Sequence, residues 1–379
     1  MRIGYDAKRA VRNMTGLGNY SRLVIESVAQ RFPSHSLRLY APDTRENPRL
    51  APILEMSNVE LVLPAGDGLM AKGALWRSFG ITRQLRADGI DLYHGLSNEL
   101  PLNIARSGIP SVVTVHDLIY RRLPECYSIP DRLLYDFKYR ASCKAADRVI
   151  AISRRTANDI TELYGIDPEK IDIVYQGCAE AFKHPASRHA LASAREKYRL
   201  PARYIIQVGT IEKRKNLELT VKALAALPRD VELVVVGGDR GYLGCVRKIA
   251  RANGTLPRIH VISNVAFSEL PALYQMSSAV AYPSRYEGFG IPVLEGLESN
   301  RPVIAGKGSC LEEAGGEAAF YVDPDSPREM AEALKAALTD GPQLVSRLAI
   351  GKRHASRFSN SEIASRLEAV YEKTIRQKY

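Results

Sequence analysis

Two carboxylates eight positions apart, Glu287 and Glu295, lie in the segment YPSRYEGFGIPVLEGLES (282–299). The pattern predicts a strand ending at Pro283, a loop carrying Glu287, and a helix opened by Gly288-Phe289-Gly290 whose second turn holds Glu295. Glycines there let the backbone approach a ligand closely, and a helix start offers unpaired N–H groups to an anion such as a diphosphate. The two carboxylates would then touch different parts of an extended ligand. Spacing alone reads first as a surface Glu and an amphipathic-helix Glu, so a second signal is needed. It comes from QVGTIEKRKNLE (207–218), where a strand ends in Gly209, a loop carries Lys213-Arg214-Lys215, and Asn216 caps the next helix. Cations at the carboxyl end of a strand can clamp phosphate oxygens and stabilise the charge that develops on a departing diphosphate.

Two histidines end strand-like runs in the first half, His94 in LYHGLSN and His116 in TVHDL. A histidine in that position is ordinarily a packed, hydrogen-bonded residue; as a site residue, His94 is an acceptor-side candidate. Gly16 and Gly18 in GLGNYSR (16–22) make either a tight turn before the first helix or a place of close backbone approach.

The elements that must position these residues follow a regular pattern. Short apolar runs alternate with amphipathic helical patterns from end to end, the signature of parallel sheets covered by helices. Strands are expected at 2–7, 36–42, 59–64, 91–97, 111–118, 148–153 and 171–177, with helices between them that include 18–31, 74–88, 130–146 and 153–164. The pattern breaks into a polar, proline-containing stretch near 178–200. Strands resume at 204–210, 231–238, 258–263, 279–284, 301–306 and 318–323, and helices at 216–227, 242–253, 268–277, 290–299, 327–339, 341–358 and 361–377. The expected organisation is a Rossmann-like domain over 1–180, a linker at 181–200, a second Rossmann-like domain over 201–358, and a C-terminal helix at 359–379 that returns to the first. In open α/β sheets ligands bind beyond the carboxyl ends of the strands, which puts the chemistry in a cleft between the two domains.

A chain of 379 residues suits two such domains, and 45% hydrophobic with 25% charged residues excludes a disordered chain. No apolar run reaches membrane-spanning length, and MRIGYDAKRA begins as a strand rather than a signal peptide, so a cytoplasmic protein is expected. Five scattered cysteines without a Cys-x-x-Cys pair signal neither disulfides nor zinc. The net charge of +11 asks for an anionic partner. Residues 121–155 carry nine Lys/Arg against four Asp/Glu; the plain reading is a solvated helix face, and the alternative is a patch for the inner face of an anionic membrane.

GLGNYSR (16–22), TVHDL (114–118), AISRRTANDI (151–160), VYQG (174–177), VGTIEKRKNL (208–217) and EGFGIPVLE (287–295) together resemble glycosyltransferase family 4, the retaining enzymes of GT-B fold, in order and over nearly the whole chain. The resemblance implies two Rossmann-like domains and transfer of a hexose with its α-linkage kept. It implies that Glu287 contacts sugar hydroxyls, Glu295 the ribose hydroxyls, and the backbone of Gly288, Phe289, Gly290 and Ile291 the sugar and diphosphate. Arg214 and Lys215 match the pair that neutralises the diphosphate, and the backbone near Val265 meets the base. From the first domain, Gly16 and Gly18 approach the diphosphate, His116 sits at donor sugar and acceptor, and Asp117 lies beside it. Relatives often carry Arg where this chain has Thr210, so more of the diphosphate charge should fall on Arg214 and Lys215.

The whole pattern is similar to bacterial mannosyltransferases of polysaccharide synthesis, which makes GDP-mannose the expected donor, with UDP-sugars open, and a glycan or lipid-linked saccharide the expected acceptor. Asp323-Pro324-Asp325 has the Asp-x-Asp form that holds a metal in another glycosyltransferase fold. Ser326, Pro327 and Glu329 follow it as N-cap, first and third helical residues, so it reads as a helix start, and neither metal nor other cofactor is expected. No nucleic-acid partner is expected. The rival readings are a GT-B nucleotide-sugar epimerase and a non-catalytic basic protein at membrane or nucleic acid.

Overall fold

The computed structural model describes residues 1–65 and 73–378. The chain forms two compact units, Met1–Gly177 with Phe358–Tyr379, and Cys178–Arg357. Runs such as SVVTV (111–115) lack polar alternation and so belong in a sheet covered on both faces, and all five of these residues are buried.

The first unit holds seven parallel strands: β1 (Arg2–Asp6), β2 (Ser36–Tyr40), β3 (Val59–Val62), β4 (Leu92–Gly95), β5 (Ser111–Val115), β6 (Arg148–Ala151) and β7 (Ile171–Ile173). Their order is β3-β2-β1-β4-β5-β6-β7, so the winding reverses between β1 and β4. Register there sets Tyr5 of β1 beside Leu39 on one side and His94 on the other. The second unit holds β8 (Tyr204–Val208), β9 (Glu232–Val236), β10 (Ile259–Ile262), β11 (Ala279–Tyr282), β12 (Val303–Gly306) and β13 (Phe320–Val322), ordered β10-β9-β8-β11-β12-β13 with the reversal between β8 and β11. Its core packs Ile205, Leu233, Val235 and Ile304 of the sheet against Val221, Leu224 and Leu334 of the covering helices.

Every expected strand is present, trimmed where its ends bend into loops. Two expectations change, and short helices are added. Residues 181–200 are not a linker: Ser187 caps a helix, Arg188–Tyr198, by accepting from the Ala190 N–H, and that helix packs on Leu270–Met276 within the second unit. Ala194 is its one buried residue, with Leu191 and Tyr198 half-buried on the same face, so the apolar row that announces it is short and made of small or half-exposed residues. The helix expected at 74–88 is interrupted by a π-helical turn, Trp76–Gly80. A short helix, Lys8–Arg12, follows β1.

The C-terminal helix, Asn360–Lys378, belongs to the first unit, where it packs on helix Gly16–Arg31. A buried polar chain ties it to the sheet: the Tyr371 hydroxyl lies 3.2 Å from that of Tyr5 and 2.8 Å from Nδ1 of His94, whose Nε2 is 2.8 Å from the Thr114 hydroxyl. The five cysteines are free thiols. No helix among the described residues is long and apolar enough to cross a membrane.

Candidate functional site

The loops that leave β8 and β11 stand at the switch point of the second sheet, where doubly wound folds place their ligands. The β8 loop starts at Gly209 (φ +142°) and closes in a 3₁₀ turn, Lys213–Lys215. Gly237 makes this start possible, because a Cβ there would stand 2.0 Å from the Gly209 carbonyl oxygen. Gln207 holds the far end: its amide donates to the Lys215 carbonyl at 3.0 Å and accepts from the Thr220 hydroxyl at 2.7 Å. Asn216 takes the left-handed conformation (φ +55°) before helix Leu217–Leu224. Its side chain does not cap that helix, contrary to the sequence expectation; its Nδ2 spans the carbonyls of Pro283 at 3.1 Å and Pro324 at 2.8 Å. Asn216 thereby ties the β8 loop to the β11 loop, and the Arg285 N–H, donating to the Arg214 carbonyl at 2.9 Å, ties them again.

These ties bring three charges together. Arg214 Nη1 is 2.8 Å and Lys215 Nζ 2.7 Å from Oε1 of Glu287, and the Ser284 hydroxyl donates to the same oxygen at 2.5 Å. All three donors converge on Oε1. Lys215 also donates to the Tyr282 hydroxyl at 2.5 Å, and Arg214 to the Tyr286 carbonyl at 2.5 Å and Glu212 at 2.6 Å. Burial alone would raise the Glu287 carboxyl, but the Lys215 ammonium and Arg214 guanidinium outweigh it and bring it down to about 2. The carboxylate is therefore ionised, and the two cations are fixed beside it.

Gly290 (φ +134°) opens helix Ile291–Glu298, whose N-terminus has no side-chain cap, with Pro292 in its first turn. Gly288 and Phe289 are buried in the preceding loop. Glu295 faces inward from the second turn, where the Tyr274 hydroxyl donates to its Oε2 at 2.6 Å. Burial raises this carboxyl to about 7 against the lowering effect of Tyr274. Two glutamates on one segment are thus driven in opposite directions, one by cations and one by desolvation. Thr210 and Val265 are half-buried, in the loops after β8 and β10.

In the first unit His116 follows β5 and is buried. Its Nε2 lies 2.9 Å from the Leu96 carbonyl, which makes Nε2 the protonated nitrogen and leaves Nδ1 to accept from Gln176 at 3.3 Å. Burial lowers the imidazole to about 4, so it is neutral. The Tyr20 ring stands edge-on to it, 4.6 Å away. Asp117 is half-buried, and its Oδ1 accepts from the Ile119 N–H at 3.1 Å. His94 does not face a cleft: it is wholly buried, burial lowers it to about 3, and Tyr371 and Thr114 occupy its two nitrogens. Gly16 is the first residue of helix Gly16–Arg31, and a Cβ on it would meet nothing within 4 Å. At Gly18 a Cβ would lie 1.8 Å from the Asn13 carbonyl oxygen, so that glycine is required by packing.

Asp323 to Glu329 form a helix start, as the sequence indicates. The Ser326 hydroxyl accepts from the Glu329 N–H at 3.2 Å, and Glu329 accepts from the Asp323 N–H at 2.9 Å. Among the described residues no three His, Cys, Asp or Glu side chains gather as a metal would require. Sequence reasoning missed Gln207, Tyr274, Tyr282 and Ser284. Gln207, Tyr282 and Ser284 lie inside segments whose importance was legible; Tyr274 carries no local signal.

Comparison with known proteins gives the family and the fold. The family described as Glycosyltransferase Family 4 matches residues 15–181, and that described as Glycosyl transferases group 1 matches 192–355. The D-inositol 3-phosphate glycosyltransferase 1 of Catenulispora acidiphila is 30% identical over 94% of this chain and 91% of its own. O-antigen chain mannosyltransferase B of Escherichia coli is 28% identical over 71% of this chain and 70% of its own. The chain belongs to the family-4 glycosyltransferases. Its fold is the GT-B fold of two parallel-sheet units. It is similar to Anabaena Alr3699/HepE in complex with UDP (TM-score 0.76, 18% identity, 98% of this chain and 100% of that one). It is also similar to WaaG, a glycosyltransferase involved in lipopolysaccharide biosynthesis (TM-score 0.70, 18% identity, 97% and 99%).

Proposed function

We propose that this glycosyltransferase moves a hexose from a nucleoside diphosphate, GDP-mannose in the first instance, to a hydroxyl of a glycan or lipid-linked saccharide, keeping the α-linkage and using no metal. The observation that carries the reading is the convergence of Arg214, Lys215 and Ser284 on Oε1 of Glu287 at the β8/β11 switch point. It presents two fixed cations for a diphosphate and, beside them, an ionised carboxylate to accept from sugar hydroxyls. Glu295, deeper on the helix, is assigned to the ribose hydroxyls, and the uncapped start of helix Ile291–Glu298 to the diphosphate. Val265 is assigned to the base, Gly16 to the diphosphate, and His116 and Asp117 to the sugar and acceptor side.

In the proposed reaction the bond between the anomeric carbon and the diphosphate oxygen breaks as the acceptor oxygen bonds to the same face of that carbon. The acceptor proton passes to the leaving phosphate oxygen. Charge grows on the diphosphate, and Arg214 and Lys215, already held in place, stabilise it without reorganising. His116 is neutral and brings no charge to the sugar. The mannosyl donor is favoured by likeness to an O-antigen mannosyltransferase.

The test is calorimetric titration with GDP-mannose and UDP-sugars, followed by assay of free nucleotide with and without a saccharide acceptor. Tight binding of GDP-mannose and nucleotide release that requires acceptor are expected. Release that ignores the acceptor would remove transfer, and selective binding of a UDP-sugar would replace the donor.

A further inference from the structure

The chain leaves the first unit after Gly177 and re-enters it at Phe358, and the two crossings are packed on each other. A Cβ on Gly177 would stand 2.7 Å from the Phe358 carbonyl oxygen and 2.9 Å from Cδ1 of Ile363, and the Tyr175 ring meets the Phe358 ring edge-on at 5.4 Å. Gln176 lies between these two fixed neighbours. Its side-chain amide reaches back 60 residues to donate to Nδ1 of His116 at 3.3 Å.

The rest of His116 is held more firmly. Its backbone N–H donates to Oδ1 of Asn98 at 2.8 Å, and Nε2–H donates to the Leu96 carbonyl at 2.9 Å. The Tyr20 ring, anchored through its hydroxyl to that of Thr114 at 3.0 Å, stands against the imidazole. The ring therefore cannot turn to present Nε2, which leaves Nδ1 as its exchangeable position. The bond there is longer than the ~3.2 Å ordinary limit, and its donor is a side chain rather than backbone. His116 and Gln176 each keep 5% exposure, so their contact lies at the margin of the buried region; His94, at 0%, has no such edge. A neutral amide also suits the ring chemically. It leaves the lone pair of Nδ1 in place, whereas a carboxylate would draw a proton onto the ring, a proton that burial and Arg9 of helix Lys8–Arg12 oppose.

We propose that Gln176 is a positioning residue for transfer: its amide fills Nδ1 of His116 in the free protein and yields the place to a substrate hydroxyl, which donates to Nδ1 instead. One neutral hydrogen bond replaces another, so the exchange costs little, and Tyr175 and Gly177 keep the amide at hand when the substrate leaves. Resting on the assignment of His116 to sugar and acceptor, this role makes the hydroxyl either the transferred sugar's or the acceptor's, and the two form the same bond.

The experiment is nitrogen-15 NMR of the histidine rings in the full chain, joined to steady-state kinetics, for wild type, Gln176→Met and Gln176→Glu. The His116 ring, assigned by its loss in His116→Asn, should be neutral and protonated at Nε2 in free wild type. GDP-mannose, UDP-glucose or methyl α-mannoside should move its Nδ1 resonance. Gln176→Met offers no N–H, so Nδ1 is open beforehand and the KM of the substrate that fills it should fall about fivefold, the worth of one hydrogen bond. A lower KM for the nucleotide sugar assigns the hydroxyl to the sugar, and a lower KM for the mannoside assigns it to the acceptor. Gln176→Glu should place a proton on the ring at neutral pH; kcat at saturating substrates should then be low and rise with pH as that proton leaves, a limb that wild type lacks. A residue that merely supports the fold would lower the melting temperature and move neither KM nor the pH profile, and that result overturns the proposal. So does a loss of kcat in Gln176→Met with KM unchanged, because the amide then stays on the ring through turnover. An Nδ1 resonance that none of the three compounds moves overturns it too. Movement of that resonance without transfer leaves the exchange standing and counts against the proposed reaction alone.

Discussion

Replacing Glu287 by Gln keeps the size of the side chain and deletes the charge that holds Arg214 and Lys215. At 2.7 and 2.8 Å, and with an effective dielectric of about 20, each cation attracts the carboxylate by roughly 6 kcal/mol before desolvation. Removing several kcal/mol per buried ion leaves about 3 kcal/mol as the cost of breaking the cluster. The titration of Glu287 points the same way: a carboxyl held at about 2 instead of 4.5 is worth about 3 kcal/mol at neutral pH, offset in part by Lys215, whose ammonium burial pushes down. Because the folded value lies below the unfolded one, that contribution is complete above pH 4.5 and is lost as pH falls toward 2. The two cations do not suffer equally. Arg214 keeps Glu212 and the Tyr286 carbonyl, whereas Lys215 keeps only the Tyr282 hydroxyl and ring. Glu287→Gln should therefore lower the melting temperature of the second unit by roughly 6–12 °C, and Lys215→Met added to it should recover most of the loss. Thermal melts of wild type, both single variants and the double variant form the cycle. A coupling energy near zero, or a double variant weaker than Glu287→Gln alone, would refute the claim that Glu287 and Lys215 stabilise one another.

Glu295, raised to about 7 by burial, must ionise to accept from ribose hydroxyls. Nucleotide affinity should rise with pH through about 7 and binding should release a proton; titration calorimetry in buffers of different ionisation enthalpy measures this, and Glu295→Gln should abolish it. Gly18→Ala should destabilise the first unit, since its Cβ would meet the Asn13 backbone, whereas Gly16→Ala should leave the melt unchanged and lower turnover. A melt lowered equally by both would remove Gly16 from the donor side. Transfer should persist in excess EDTA; recovery only on adding manganese or magnesium would restore a metal to the mechanism.

The sequence by itself determined the strands, the two-sheet plan and the placing of the charged residues of the central segments in the loops after β8 and β11. Parallel strands buried on both faces are spelled as continuous apolar runs, and EGFGIPVLE and RKN keep their residues close in the chain. Helix Arg188–Tyr198 escaped because its apolar row, Leu191, Ala194 and Tyr198, is short and lies among charged residues after a proline-containing stretch. Asn216 was misread for a related reason: its local setting is that of a cap, and only tertiary folding brings the carbonyls of Pro283 and Pro324, 67 and 108 residues away, within reach of its amide. His94 was likewise a strand-end histidine until Tyr371, 277 residues later, closed over it. The charge states divide in the same way. Which residues are Glu is written in the chain; that Glu287 is ionised among cations while Glu295 is held near neutrality depends on burial and on partners such as Tyr274, and those exist only once the helices have packed.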